Sequence, residues 1–389
     1  MIRVVDLFSG AGGLTLGFKT KISNNKFKKS NDFDILFANE INKNASDAFL
    51  LNFPSIPMLN CSITDINEKF LKEKNINYTN VDLVIGGPPC QSFSTVGKRQ
   101  YDERAKMYQE YRRVLTFIKP KVFLFENVTG LLTMKNDENL PVMEDIKKSF
   151  SDFSDFEMDL SYEIKDSVLN AKHFGIPQNR ERVFLIGIRK DLDIKFEWEF
   201  PSPESDNDFL TLEDAIGDLP FLNNGEKKNV YEKAPYTNYQ IMMRNNCNYL
   251  MDHINATNGD KILTIMRMVI PGEGRNYINN LVETGVLEKK YYLTSGYTNT
   301  YGKLWWDKPC STITNNLSTP SSLRCIHPIQ NRALTPREGA RIQSFPDTFQ
   351  FVGSKESINS QIGNAVPPLL ASAIAQKLKE FFDKNFLNT

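Results

Sequence analysis

The sequence predicts an α/β protein with a doubly wound, mostly parallel sheet and a smaller, irregular region rich in strands and loops. Three observations indicate this fold. Short β-branched runs alternate with helical segments in the first half of the chain, at the spacing of strand–helix–strand units. The first run ends in a glycine-rich loop that opens a helix. Beyond Arg189, weak periodicity and abundant Asn, Thr, Tyr, Pro and Gly favour short strands and long loops.

The elements follow in order along the chain. Short apolar runs stopped by turn-forming or polar residues are predicted to be buried parallel strands, at 3–8, 33–39, 81–85 and 121–125. Helices are predicted to begin at Leu14 and to cover 106–118 and 368–385, where apolar residues recur at helical spacing. Residues 162–169 and 182–188 flank a Gly-Ile-Pro turn, and we expect them to add a hairpin to the sheet.

The composition is ordinary for a globular protein, with 40% hydrophobic and 24% charged residues and no formal net charge. The five cysteines form no C-x-x-C pair and the three histidines are scattered, which argues against a disulfide framework or a zinc site. No basic leader and no apolar run of transmembrane length occur. We therefore expect a cytoplasmic protein that binds neither a metal nor a membrane.

Positive charge is concentrated in two places. Between Glu226 and Phe345, 15 Lys and Arg stand against 9 Asp and Glu. A mixed, solvated surface has the same composition, but such charge also suits a surface that faces phosphates. The second group favours the phosphate-facing interpretation; it comprises Lys98, Arg99, Arg104, Lys106, Arg112 and Arg113.

The loop after the first strand predicts a cofactor site. It reads DLFSGAGGL from Asp6 to Leu14, and its glycines let a ligand approach backbone N–H groups at a helix start. Glu40 closes the second strand, where an acidic residue binds ribose hydroxyls. Thr15 occupies the third glycine position of the dinucleotide pattern. This disfavours a nicotinamide oxidoreductase and favours S-adenosylmethionine, which needs no pyrophosphate cradle.

Cys90 is the candidate nucleophile, because it follows an apolar run and a stiff Gly-Gly-Pro-Pro turn. Glu126 follows the next predicted strand. If the two strands are neighbours, both side chains reach the same edge of the sheet. A thiolate and a proton-donating carboxyl beside an adenosyl cofactor suit covalent activation of a poor nucleophile, such as carbon 5 of a pyrimidine.

The chain resembles the cytosine-5 DNA methyltransferases of bacterial restriction–modification systems. Six strings carry the resemblance in the order that the family has them: DLFSGAGGL, GGPPCQSFS, ENV at 126–128, QNRERVF at 178–184, RALTPREGARIQSFP at 332–346 and QIGNAVPP at 361–368. The similarity is weakest between 201 and 330. It implies methyl transfer from S-adenosylmethionine to carbon 5 of a cytosine flipped out of double-stranded DNA, within a specific short sequence.

The resemblance also implies the catalytic roles. Cys90 attacks carbon 6, Glu126 holds or protonates ring nitrogen 3, and Asn127 fixes the loop. Arg182 contacts the cytosine oxygen and Arg180 supports the pocket. A base then removes the proton from carbon 5, and β-elimination frees the thiol.

The remaining implied residues surround the cofactor or contact DNA. The cofactor set is Phe8, Gly10, Ala11, Gly12, Gly13, Leu14, Glu40, Ile41, Ile63, Pro88, Met107, Asn364, Ala365 and Val366. The position that usually carries an Asp for the adenine has Ser62, so Ser62 and Asp65 both stay open. The DNA set is Gln91, Ser94, Lys98, Arg99, Arg275, Thr312 and Thr314. Arg244, Arg275 and Arg324 are open candidates for reading bases, but contact with a phosphate or a plain surface charge is the favoured interpretation of each.

The implied organisation is a catalytic and cofactor-binding domain of 1–200 plus 357–389. Residues 201–356, which include the supporting segment 332–346, form the target-recognition domain. We expect a monomer whose cognate restriction endonuclease acts on the same sequence without a stable complex. The alternatives are an RNA methyltransferase of the same fold, an orphan regulatory DNA methylase and a catalytically dead DNA-binding regulator.

Overall fold

The computed structural model describes residues 1–89, 107–135, 139, 141–203, 208–294 and 296–387. A seven-stranded sheet has the order β5-β4-β1-β6-β7-β10-β8, and two pairs of short strands lie outside it. The strands are β1 (Ile2–Leu7), β2 (Thr20–Ile22), β3 (Phe27–Lys29), β4 (Phe33–Asn39), β5 (Met58–Leu59), β6 (Leu83–Gly86), β7 (Val122–Val128), β8 (Tyr162–Asn170), β9 (Gln178–Asn179), β10 (Glu181–Arg189) and β11 (Cys310–Ser311).

Helices lie on both faces of the sheet, and they also make up most of the regular structure outside it. They are α1 (Gly13–Lys19), α2 (Lys43–Asn52), α3 (Glu68–Glu73), α4 (Met107–Ile118), α5 (Val142–Ser151), α6 (Leu212–Ile216), α7 (Asn238–Arg244), α8 (Asp260–Met268), α9 (Arg275–Glu283), α10 (Pro336–Ile342), α11 (Lys355–Asn364) and α12 (Pro368–Phe382). The last helix continues as a π-helical turn over Asp383–Leu387.

The sheet is parallel except at β10, as the alternation of strands and helices predicts. Strands β4, β1, β6 and β7 pair in parallel, and β10 pairs antiparallel with both β7 and β8. The predicted hairpin is therefore present at the end of the sheet. The observed β4 has the predicted limits, whereas β6 begins two residues later than predicted.

The two faces of the sheet have separate cores because successive side chains of a strand point in opposite directions. Val4 packs in the cluster that contains α1 and α12, and Val5 packs in the cluster on the other face with α4 and α5. Helices α1 and α12 approach closely at Gly17, where a Cβ atom would lie 2.5 Å from the Ala371 Cβ. Asp6 extends from β1 on the same face as Val4.

The region beyond Arg189 is rich in loops as predicted, but the prediction that it is rich in strands was wrong. In its described part, the regular elements between 208 and 331 are α6 to α9, a short 3-10 turn and the two-residue β11. The signal was in the sequence: Ile262, Ile265, Met266 and Val269 recur at helical spacing and pack together. Frequent Asn, Thr and Gly between such short helices conceal their periodicity.

The region also shares a core with the sheet rather than standing apart. Leu212, Ile216 and Met243 pack in the same cluster as α12, and only a small cluster around α8 and α9 is separate. The division into a catalytic and a recognition domain stays a prediction. The packing shows that residues 208–250 and the sheet share one continuous hydrophobic core.

Candidate active site

The carboxyl ends of four strands meet at one edge of the sheet. Leu7 of β1 is opposite Asn39 of β4 and Gly86 of β6, and Gly86 is opposite Phe125 of β7. The residues that follow these positions are Phe8, Glu40, Gly87 and Glu126. The condition for bringing the candidate nucleophile loop and Glu126 together, that their strands are neighbours, is therefore met by β6 and β7.

The glycine loop turns tightly from β1 into α1. Gly12 has a φ angle of 101°, which glycine adopts without strain. Phe8 also has a positive φ angle, of 54°, which a residue with a side chain rarely adopts. The Gly10 N–H donates to Glu40 Oε2 at 3.0 Å. A Cβ atom on Gly13 would lie 2.5 Å from the Val366 carbonyl oxygen, so the loop packs directly against the segment between α11 and α12.

Glu40 is a half-buried anchor of the loop as well as a candidate ligand. Its Oε1 accepts the Asn42 N–H at 2.7 Å while Oε2 accepts that of Gly10. Burial raises the pKa of Glu40, and the backbone hydrogen bonds oppose that rise. Each carboxylate oxygen keeps a second lone pair, so the side chain can still accept hydroxyl groups.

Asp6 lies beneath the same loop and is fully buried. Thr15 Oγ1 donates to its Oδ2 at 2.6 Å, but Oδ1 has no hydrogen-bond partner among the described residues. Burial raises the pKa of Asp6 to about 7, while the Thr15 hydrogen bond lowers it and Glu40 raises it. Thr15, which replaces the third glycine of the dinucleotide pattern, is therefore a partner for a buried acid.

Glu126 and Arg182 form the candidate pocket. Arg182 of β10 is opposite Val128, two residues beyond Glu126 on β7, so both side chains extend from the same sheet face. Their Nε and Oε1 atoms are 3.2 Å apart. Burial raises the pKa of Glu126, and Arg182 and Arg180 oppose that rise. A carboxyl with a raised pKa can donate a proton or a hydrogen bond near neutral pH.

The loop after β6 lies against this carboxyl. A Cβ atom on Gly87 would be 2.7 Å from Glu126 Oε2. The Asn127 amide donates to the Pro88 carbonyl at 3.4 Å. Gly87 and Asn127 thus hold the loop and the carboxyl in contact. Cys90, which continues this loop, lies outside the described residues, as do Gln91, Ser94, Lys98 and Arg99.

Arg180 is fully buried and connects three segments. Its guanidinium donates to the Ile313, Gly363 and Ala365 carbonyls at 2.9–3.0 Å, and its Nε has no partner among the described residues. Burial lowers the pKa of Arg180, and the charge of Arg182 lowers it further. The side chain joins the segment after β11 to the cofactor segment after α11.

Two glutamines extend this connection, and the sequence reasoning missed both. Gln178 donates to Gln343 Oε1 at 2.7 Å and accepts the Ile313 N–H at 2.8 Å. Gln343 in turn donates to the Ile362 carbonyl at 2.8 Å. Both residues belong to sequence strings that carry the family resemblance. Their place in these strings was the one signal from which a role at the site could have been predicted.

The segment that carries Thr312 and Thr314, two of the predicted DNA contacts, lies beside the pocket. Strand β11 pairs in parallel with β9, and Thr312 Oγ1 donates to the Asn179 carbonyl at 2.9 Å. A Cβ atom on Gly363 would lie 2.5 Å from the Thr314 carbonyl carbon. Thr312 is therefore adjacent to the Arg180 network. Its hydroxyl proton is already engaged by the chain.

The other predicted cofactor residues surround the same edge to different degrees. Ile63 is buried and Met107 packs beside it in the α4 cluster. Ile41 and Asn364 are exposed. Ser62 caps the 3-10 turn at Ile63 through its own side chain, which leaves its role at the adenine open. Ala11 and Leu14 are buried where the loop enters α1.

Three arginines do not have the environment that phosphate or base contact requires. Arg112 is buried and donates to Asp155, and Arg113 donates to the Ile63 and Ile66 carbonyls. Arg244 donates to Asp218 at 2.7 Å. Local acids and carbonyls already satisfy their guanidinium groups, so the structure does not favour these three residues as DNA contacts. Arg275 donates to the Gly296 carbonyl, and its buried Nε has no partner in the described part of the chain.

Among the described residues, no three His, Cys, Asp or Glu side chains come together in a way that could hold a metal ion. None of the described helices combines the length and apolarity needed to cross a bilayer.

A mostly parallel sheet with this loop and edge defines a Rossmann-like methyltransferase fold. A profile of the C-5 cytosine-specific DNA methylase family matches residues 2–380. The chain belongs to this family.

Individual relatives match over nearly their whole length. Type II methyltransferase M.DdeI of Desulfomicrobium norvegicum is 32% identical over 409 residues, which cover 100% of this chain and 91% of that protein. Type II methyltransferase M1.HphI of Haemophilus parahaemolyticus is 35% identical over 379 residues, covering 96% and 86%. A solved structure of a candidate DNA modification methyltransferase from an Escherichia coli prophage has a TM-score of 0.72 at 26% identity, with 98% and 100% coverage.

Proposed function

We propose that this protein is the DNA cytosine-5 methyltransferase of a type II restriction–modification system, acting on a flipped cytosine in a specific short duplex sequence. The observation that carries the proposal is the Glu126–Arg182 pair, 3.2 Å apart beside the loop that leads to Cys90. The relatives described above are type II methyltransferases, which favours DNA over RNA as the substrate. Double-stranded DNA is therefore the partner.

S-adenosylmethionine is the proposed cofactor, and the residues of the chain fit it. Among the described residues other than its two chain neighbours, Gly10 has no atom within 4 Å of where its Cβ would be, so the loop leaves room on that side. Glu40 would bind the ribose hydroxyls, and the loop from Phe8 to Leu14 would enclose the methionine part. Asp6 Oδ1, buried without a partner, is an acceptor beneath that loop. When bound, the cofactor supplies an electrophilic methyl group.

The pocket residues then act on the cytosine ring. Cys90 attacks carbon 6 as a thiolate, forming a C–S bond. Glu126, whose pKa burial raises, donates to ring nitrogen 3, so that the electrons displaced from carbon 6 are held in the ring. Arg182 binds the exocyclic oxygen and keeps Glu126 in place. The addition makes carbon 5 electron-rich, and carbon 5 accepts the methyl group. Once it carries that methyl group, loss of its proton to a base re-forms the double bond between carbons 5 and 6, breaks the C–S bond and returns the thiolate.

Arg180 is a positioning residue in this proposal. Its three carbonyl acceptors belong to the segments that carry Thr312 and Val366, so it fixes the DNA-contacting and cofactor-contacting segments relative to Arg182. We further propose that the enzyme works as a cytoplasmic monomer. A cognate endonuclease would cleave the same unmodified sequence without a stable complex.

The test measures transfer of labelled methyl groups to unmethylated plasmid DNA and maps the modified positions. We expect 5-methylcytosine at one position of a short repeated sequence, and no transfer to RNA. Cys90→Ser should lose transfer while its binding of S-adenosylmethionine, measured by calorimetry, is unchanged. Wild-type protein should form a covalent adduct with DNA that contains 5-fluorocytosine, and Cys90→Ser should not.

The alternatives give different results. Methylation of transfer RNA but not of the plasmid would identify the RNA enzyme. Cofactor and DNA binding without adduct or transfer would identify a regulator. Full activity of Cys90→Ser would falsify the covalent mechanism while leaving the cofactor assignment intact.

A further inference from the structure

Two cations lie over one indole ring in the region after β10. Arg324 Cζ lies 4.4 Å and Lys308 Nζ 5.1 Å from the ring centroid of Trp305. Arg324 also donates to the Lys303 carbonyl at 3.2 Å. We name Lys308 and Arg324 with Trp305 the Trp305 cluster. The two distances share one end, the ring centroid, so the Arg324 and Lys308 charges are at most about 9.5 Å apart. This separation is within about one Debye length at 0.1 M salt.

The cluster has no counter-charge within ion-pair distance. Among the described residues, no carboxylate oxygen comes within 4.0 Å of these side-chain nitrogens. Glu273 acts on Arg324 only electrostatically. Arg324 is half-buried, and burial lowers its pKa. A cation removed from water is ordinarily paired with an acid, and the Arg324 guanidinium has no such partner among the described residues.

The surrounding backbone holds the cluster in one geometry. The backbone N–H of Gly272 donates to the Lys303 carbonyl at 2.9 Å, and the backbone N–H of Lys303 donates to the Glu273 carbonyl at 3.0 Å. A Cβ atom on Gly272 would lie 2.8 Å from the indole ring, so the loop before α9 packs against Trp305 with no space for a side chain. An aromatic platform that fixes a guanidinium reduces the entropy lost when that guanidinium binds.

The cluster is also connected to the pocket. Ser311 Oγ donates to the Arg324 carbonyl at 3.5 Å, and Ser311 belongs to β11, which pairs with β9. The next residue, Thr312, donates to Asn179, one residue before Arg180. A rigid, hydrogen-bonded path therefore runs from the cluster to the residues beside Glu126.

We propose that the Trp305 cluster binds a backbone phosphate of the substrate DNA close to the flipped cytosine. The phosphate supplies the missing negative charge, and Arg324 and Lys308 approach it from their fixed positions on the ring. The inference rests on the proposed function, since it takes DNA as the substrate. It assigns the cluster to positioning the duplex, because a phosphate contact carries no sequence information.

The experiment measures binding to the duplex that contains the mapped methylation site, across a salt series. Arg324→Gln should weaken binding about eightfold at 0.1 M salt and make the slope of log K against log salt less steep by about 0.9, the value for one phosphate. Arg324→Lys keeps the charge and should keep the wild-type slope. The matched control is Lys290→Gln, which removes a charge that is exposed and already paired with Glu288 at 2.9 Å.

A scan of single neutral methylphosphonates along the duplex locates the contact. We expect one position at which the substitution weakens wild-type binding by the same factor and has no effect on Arg324→Gln. Equal losses in both proteins at every position, or a slope for Arg324→Gln equal to that of Lys290→Gln, would overturn the proposal. Retained binding of S-adenosylmethionine verifies that each variant is folded. If the wild type methylates no DNA, the proposed function fails; if it does and the slope is unchanged, only the phosphate site fails.

Discussion

The contact between Gly87 and Glu126 gives the sharpest prediction for catalysis. In Gly87→Ala the new methyl group would be 2.7 Å from Glu126 Oε2, about 0.7 Å short of the 3.4 Å at which ordinary contact begins. Gly87 does not have the positive φ angle that would itself strain an alanine. The backbone therefore accommodates the change, and the buried carboxylate has to move.

The size of the effect follows from the ion pair. If the carboxylate moves 0.7 Å away from Arg182, the pair lengthens from 3.2 to about 3.9 Å. At an effective dielectric constant of about 20 this loses about 0.9 kcal/mol, or about fivefold in rate. A misplacement near 1 Å in a reacting geometry costs up to about 100-fold. We expect kcat for methyl transfer to fall between these limits, with unchanged affinity for S-adenosylmethionine.

The assay is steady-state methyl transfer to duplex DNA, with cofactor affinity measured by calorimetry. Gly259→Ala is the matched control, because its new methyl group meets no atom within 4 Å, and it should keep wild-type kcat. Activity of Gly87→Ala within twofold of wild type would refute the reasoning, since the carboxylate could then move without consequence. An equal loss in the control would show that the effect is not specific to Glu126.

Two further predictions concern stability. Arg341 is fully buried between Asp218 and Asp347. Arg341→Met removes the cation that these two buried carboxylates share and leaves Asp218 with Arg244 and Asp347 with the more distant Arg337. It should lower the free energy of unfolding, measured by urea denaturation, by about 3 kcal/mol; a loss below 1 kcal/mol would contradict this. The pKa of Asp6 rises from 3.8 to about 7 on folding, so between these pH values the native state binds more protons than the unfolded state. The contribution of Asp6 to stability is therefore lost as the pH rises through this range. The slope is up to about 1.4 kcal/mol per pH unit. Asp6→Asn should remove that decline between about pH 4 and pH 7, and an unchanged pH profile of the unfolding free energy would exclude Asp6 as its source.

The strands were predictable because their signal is local. A strand that is buried on both faces consists almost entirely of apolar residues, as in VFLF at 122–125, and its limits are marked by Gly, Pro or acidic residues. Helices α8 and α9 also have a local signal, the helical spacing of their apolar residues. Each helix has only nine residues and lies among loop residues. The loop-like composition of the whole region therefore outweighed the helical periodicity in the prediction. Local composition thus led to the wrong type of element there.

The contacts of long polar side chains were less accessible to prediction. Arg112 and Arg180 are both arginines in basic strings, yet one donates to Asp155, 43 residues away, and the other to Gly363, 183 residues away. Their partners are mostly backbone carbonyls, which every residue has, so no residue type in the sequence marks them. The family resemblance located Arg180, and only the fold shows which segments it joins.

Helix α10 explains why the string RALTPREGARIQSFP, which supplies no catalytic side chain, is so strongly patterned. Arg341 joins Asp218 after α6 to Asp347, and Arg337 donates to the Met251 and Phe349 carbonyls. Arg332 and Glu338 pair at 2.6 Å beside His327, with Glu338 also closing the helix's own capping box. Buried ion pairs gain little stability over apolar packing, but their geometry admits few alternatives. The region after β10 is therefore held in a single orientation to the sheet, as Arg180 requires if Thr312 and the Trp305 cluster are to meet DNA at a fixed distance from Glu126.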